Sequence, residues 1–123
     1  MPNYSRAIRP HVVQSASAAR LAVDRADYAE AWRQLKRAHV LGQSSTILHV
    51  RVHALMLSVA LEQGDVRAAW GQMFRLAGAL LFTAVGLVPE GNTGGSDVSA
   101  FRRMPIPADL QRIMESARDS SSH

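Results

Sequence analysis

The stretch TILHVRVHALMLSVALEQ, residues 46–63, constrains this chain more than any other part of it. Read at the helical period, its only polar stripe is Arg51, Ser58 and Glu62. His49, His53, Met56 and Ala60 fall about 180° away from that stripe. A helix apolar in almost every direction has to be surrounded by other elements, so the stretch predicts a central helix. Two histidines at i and i+4 then point into the deepest part of the core rather than at water.

The remaining chain reads as helices, with no convincing strand. A first helix is expected from about Pro10 to Asp24, because proline suits a first-turn position. The turn at Arg25-Ala26 leads to Asp27, an N-cap with Glu30 three residues on. A second helix then runs from Tyr28 to Leu41 and ends at Gly42 as its C-cap. Tyr28, Ala31, Trp32, Leu35 and His39 share one face of it, so His39 also points inward. Ser45 or Thr46 can cap the central helix, Gly64 stops it, and Asp65 caps a fourth helix from Val66 to Val85 or Gly86. That helix contains LAGALLFTAVGLV, an apolar run too short to span a bilayer, which predicts a buried core helix. Gly71 and Gly78 stand a heptad apart, either for close approach of a neighbour or merely tolerated.

A faint internal repeat links the two halves. Asp27-Tyr28-Ala29-Glu30-Ala31-Trp32 aligns with Asp65-Val66-Arg67-Ala68-Ala69-Trp70 at an offset of 38 residues. Gln34 matches Gln72 and Arg37 matches Arg75 in the same register. The offset is near that of a tetratricopeptide repeat. The expected fold is therefore all-α: two stacked antiparallel helical hairpins, tetratricopeptide-repeat-like, in a single domain over residues 1–123. Residues 10–86 form its four-helix core. Residues 87–107, rich in Gly, Ser, Asn and Pro, cannot be helix interior and are expected to wrap across the bundle in extended form, anchored by Val88, Val98, Phe101, Met104 and Ile106. A short helix over 108–118 follows, and residues 119–123 form a frayed tail.

Composition removes several function classes. There is no cysteine, so disulfides, thiolate metal sites and cysteine catalysis are excluded, and any metal needs nitrogen or oxygen ligands. The net charge of +4 comes from 14 basic and 10 acidic residues, and the bases are scattered. That pattern describes a solvated surface rather than a nucleic-acid footprint. The N-terminus lacks a long apolar segment, which favours the cytoplasm, and nothing points to a membrane partner.

The histidines carry the chemistry. In an antiparallel hairpin, residues equally far from the turn sit level. With the turn near Gln43-Ser44, His39 lies opposite His49, and His53 lies one turn below. Three inward imidazoles at one level can make a three-nitrogen site for Zn, Ni, Cu or Co. The competing reading is three core histidines satisfied by hydrogen bonds to one another, to glutamine, to backbone or to water. Other patterns fail. Val50 stands where an H-E-x-x-H motif needs its glutamate, no Glu-x-x-His pair exists, and Ser44 and Ser45 suit capping better than nucleophilic attack. The segment Gly91-Asn92-Thr93-Gly94-Gly95 follows a helix instead of leading from strand to helix, unlike a P-loop. Asn92, Thr93, Gly94 and Gly95 are a candidate covering loop for the histidine site.

Ala38-His39-Val40-Leu41-Gly42-Gln43, then His49 and His53 with Met56, Gly71-Gln72, Val88-Pro89-Glu90-Gly91-Asn92-Thr93-Gly94-Gly95 and Met104-Pro105-Ile106-Pro107 form an ordered set. Together they resemble a bacterial family of small helical proteins catalogued as a domain of unknown function. The resemblance spans about residues 28–112. It implies a gene neighbourhood that often holds heavy-metal resistance determinants, and no activity. Two functions remain open. One is a metal-binding accessory or sensor protein using His39, His49 and His53, with Zn, Ni or Cu as the ion. The other is a helical-repeat module with structural histidines that docks a protein partner or a second copy of itself. An enzyme is disfavoured, since no general base accompanies the histidines.

Overall fold

The computed structural model describes residues 2–84 and 103–121, and among these every regular element is a helix. They are α1 (Pro2–Asp24), α2 (Tyr28–Gly42), α3 (Thr46–Gln63), α4 (Val66–Ala84) and α5 (Ala108–Ser121). Consecutive helices α1 to α4 pack against their neighbours, α1 also crosses α3, and α5 lies on α1 and α2. The result is a helical bundle. No helix among the described residues is long and apolar enough to cross a membrane. The candidate covering loop, residues 92–95, and the expected anchors Val88, Val98 and Phe101 lie outside the described residues. Residues 103–107 enter α5 without helical structure, and Ile106 packs on the core.

Each helix follows its apolar pattern. In α1 the buried residues Tyr4, Ile8, Val12, Ser15, Ala19 and Ala22 recur every three or four positions. This stripe explains why α1 begins at Pro2, eight residues before the expected start. Pro10 is a mid-helix residue on the exposed face, where its missing N–H costs one backbone hydrogen bond and about 3 kcal/mol. Burial of Tyr4 and Ile8 offsets that cost, and the Tyr4 hydroxyl donates to the Leu41 carbonyl at 3.2 Å.

The turns carry the repeat. After α1, Ala26 adopts φ 57°, and the Asp27 N–H reaches back to the Ala22 carbonyl at 2.8 Å. After α3, Gly64 adopts φ 77°, and the Asp65 N–H reaches the Ala60 carbonyl at 2.9 Å. Both turns are the same left-handed C-terminal motif. Each is followed by an aspartate N-cap: Asp27 Oδ1 accepts from Glu30 N–H at 3.2 Å, and Asp65 Oδ1 from Ala68 N–H at 2.9 Å. Glu30 turns its carboxylate to Arg33 at 2.7 and 2.8 Å, so only half of the capping box forms. Ser45 occupies the N-cap of α3 without a side-chain capping bond.

Two expectations are corrected. Gly42 is not a left-handed C-cap, because the helix continues right-handed into Gln43. Glycine serves contact there: a Cβ on residue 42 would stand 3.1 Å from Leu48 Cβ and 3.4 Å from Val12 Cγ2. Nor do the described residues of α4 form a buried core helix. Among the described residues it packs on α3 alone, burying Ala68, Ala69 and Gln72 while Val66, Trp70, Met73, Phe74 and Leu81 stay exposed. A helix with one neighbour can bury only one stripe.

Candidate metal centre

Helices α2 and α3 are joined by Gln43, Ser44 and Ser45, and this short turn sets the level of the facing residues. His39 stands near the end of α2, and His49 stands in the first turns of α3. His53, one turn further on, completes the group. All three are buried, at 4%, 7% and 2% exposure, so the inward direction read from the wheel holds. Arg51, Ser58 and Glu62 are exposed on the opposite side of α3.

The three Nε2 atoms converge. His39 Nε2 lies 3.0 Å from His49 Nε2 and 3.0 Å from His53 Nε2, and the third edge, His49 to His53, measures 3.2 Å. The rings of His39 meet the other two edge-on, at centroid distances of 4.7 Å. Each Nε2 has one in-plane valence, which holds either a proton or a lone pair. Three edges cannot all carry a proton, because every nitrogen would have to donate and accept along the same axis. A triangle of this kind is over-supplied with lone pairs pointing at a common centre. An ion about 2.0–2.1 Å from each nitrogen would stand roughly 1 Å above the triangle, with N–ion–N angles of about 90–105°. Those angles match three corners of a tetrahedron or one face of an octahedron.

Neither His49 nor His53 takes up a second proton near neutrality. Burial, helped by the neighbouring His53, pushes His49 down to about 3. Burial also lowers His53; the hydrogen bond to Gln72 works against that shift, and the Arg75 guanidinium adds to it. His49 and His53 are therefore neutral imidazoles, the form that binds metal.

The sequence alone did not single out Gln72 as a site residue. It is fully buried on α4, and its Oε1 lies 2.6 Å from His53 Nδ1. An amide oxygen accepts, so Nδ1 carries the proton and Nε2 keeps its lone pair for the centre. This is the outer contact that fixes tautomer and ring orientation in metal-bound histidines. The available signals were its alignment with Gln34 and its place in the Gly71-Gln72 motif, and Gln34 itself is committed elsewhere, to Glu30 at 2.9 Å.

Fold and site together define a small all-helical protein with a buried cluster of three histidines able to hold a metal ion. The chain belongs to a family described as "Protein of unknown function (DUF3703)", whose model covers residues 6–114. The match extends well into α1, beyond the residues 28–112 that the motifs alone reach. No curated protein and no solved structure matches the chain.

Proposed function

We propose that this chain is a transition-metal-binding accessory or sensor protein whose ion is held by His39, His49 and His53. The observation that carries the reading is the triangle of Nε2 atoms, with every edge between 3.0 and 3.2 Å. Three histidines bonded only to one another cannot satisfy all three edges of that triangle, because each Nε2 holds either one proton or one lone pair. Here all three Nε2 atoms face one point, and Gln72 sets the tautomer that leaves His53 ready to ligate. The ion is Zn, Ni or Cu by donor type. The residues 92–95 segment is the candidate cover, and a cytoplasmic, bacterial setting near heavy-metal resistance genes would suit such a role.

Titration calorimetry of untagged protein with Zn(II), Ni(II) and Cu(II) tests the reading. Wild type should bind one ion, His49→Ala and His53→Ala should lose binding while staying folded, and His39→Ala should weaken it comparably. Wild-type affinity no tighter than about millimolar would leave only the scaffold.

A second reading is favoured by a different observation. The exposed apolar face of α4, with Trp70 and Phe74 at 57% and 75% exposure, suits a helical-repeat interaction module, tetratricopeptide-like in its stacking, that docks a protein partner. In that case each His→Ala change costs stability through a cavity and an orphaned partner, with no metal effect to lose.

A further inference from the structure

A groove on a different face of α3 has no part in the metal reading. It runs between α1 and α3, holds about 530 Å³ and is open to solvent. Buried Val12, Leu48 and Val52 form its floor, and Val13, Leu21 and Leu55 rise along its walls. On α3, Leu48, Val52 and Leu55 recur at i, i+4 and i+7, a face turned about 120° from His49 and His53. The cleft continues past Arg20 and Leu55 to Leu35, Val59 and Glu62. Low-numbered residues of both walls share one end, so the two wall helices run parallel. From Leu48 to Glu62 the groove is roughly 21 Å long, the rise of about fourteen helical residues.

The lining shows what would fill it. Val13 and Leu21 are 48% and 62% exposed, apolar surface that a partner would take out of water. Two cations frame it, Arg20 on the α1 wall and Arg51 on the α3 wall. Both are exposed, and among the described residues neither is held by an ion pair or a hydrogen bond. The walls are helices whose backbone groups are engaged along almost all of the groove. A guest must therefore satisfy its own backbone, as a helix does. An open groove does not enclose a small molecule in the way a ligand pocket does. A second copy of this chain is a poor match. Helix α4, which bears the exposed apolar face, has Arg67 and Arg75 as its only charged residues and would set like charges against Arg20 and Arg51.

We propose that the α1/α3 groove is a docking site for an acidic amphipathic helix of a partner protein. The apolar stripe of that helix fills the groove, and carboxylates flanking the stripe meet Arg20 and Arg51. Its neutral or basic end lies beside Glu62. The site goes beyond the metal reading and the α4 face, and it stands or falls without either.

The test uses a displayed library of helices about fourteen residues long, with a fixed leucine stripe and random flanking positions, panned on the full chain with chelator present. Wild type should enrich Asp and Glu beside the stripe, and the fluorescein-labelled consensus peptide should bind with a Kd of roughly micromolar by anisotropy. Reversing both cations, Arg20→Glu with Arg51→Glu, should weaken that peptide by roughly tenfold to a hundredfold and enrich Lys and Arg instead. Val13→Asp places a carboxylate on an exposed wall position, spares the core and should weaken binding comparably. Arg67→Glu shifts the net charge in the same direction from α4 and should change nothing, which separates docking from the general attraction of a basic chain. No enrichment, an unchanged profile in the double reversal, or an equal loss in Arg67→Glu would overturn the proposal. So would another occupant: binding of wild type to phosphatidylglycerol vesicles, or self-association in sedimentation equilibrium, that Val13→Asp removes.

Discussion

Acid should unfold the metal-free protein earlier than its carboxylates alone would. The perturbation is a fall in pH with chelator present. In the native state His49 stays neutral until about pH 3 because burial penalises its charged form, and His53 is lowered for the same reason. In the unfolded chain both regain values near 6.5. The unfolded state therefore binds more protons at every pH between those limits, and stability falls as pH falls. The histidine contribution is complete above about pH 6.5 and declines from there. Each such group removes up to about 1.4 kcal/mol per pH unit, so His49 alone removes up to about 2.7 kcal/mol by roughly pH 4.5. Against a total of about 5–15 kcal/mol that is a large share. Carboxylates lowered in the native state, such as Glu30 beside Arg33 and Asp109 beside Arg37, act in a lower window. Their unfolded values lie near 4, so the two effects separate. Urea denaturation followed by circular dichroism between about pH 7.5 and 4.5 reads the slope, and His49→Leu should flatten it. A free energy that is constant across this range, or an identical slope in His49→Leu, would refute the reasoning.

The matched turns should respond in opposite directions: Ala26→Gly relieves a left-handed alanine and stabilises by about 0.5–1 kcal/mol, while Gly64→Ala destabilises by about 1 kcal/mol. Thermal melts of the two variants check this, and equal signs would count against the shared motif. Gly42→Val drives a side chain against Leu48 and Val12 and should cost about 1–3 kcal/mol despite better helix propensity. Phe74→Ser on the exposed face of α4 should leave stability within about 0.5 kcal/mol. If that face mediates self-association, the same change should lower it in sedimentation equilibrium.

The parts of this protein that were legible in its sequence are those decided locally. The direction of His49, His53, Met56 and Ala60 follows from α3 alone, because they lie opposite its polar stripe, whereas Ile47 and Leu61 beside that stripe stay exposed. His39 opposite His49 needed only a short turn in addition. What sequence could not decide was set by neighbours. Pro10 looked like a helix start until the burial of Tyr4 and Ile8 outweighed its missing N–H. Gly42 looked like a stop, and its role became visible only with Leu48 and Val12 in place. Helix α4 was expected to be enclosed because its composition is apolar, yet burial depends on how many partners arrive. Gln72 was missed because the register of α4 against α3 is a tertiary quantity that no periodicity encodes.

The three histidines are also close together in the sequence. His39 and His53 are only fourteen positions apart, and the turn between them is three residues long. Closing so small a loop costs little chain entropy, and contacts of short sequence separation form early. The three imidazoles can therefore come together as soon as residues 39–53 leave the ribosome, before α4 and α5 have emerged. An ion captured at that stage would act as a nucleus, holding α2 against α3 while α4 brings Gln72 to His53 and α5 closes over α1. Metal supply during synthesis would then govern how fast this chain reaches its native state, separately from how stable that state is once formed.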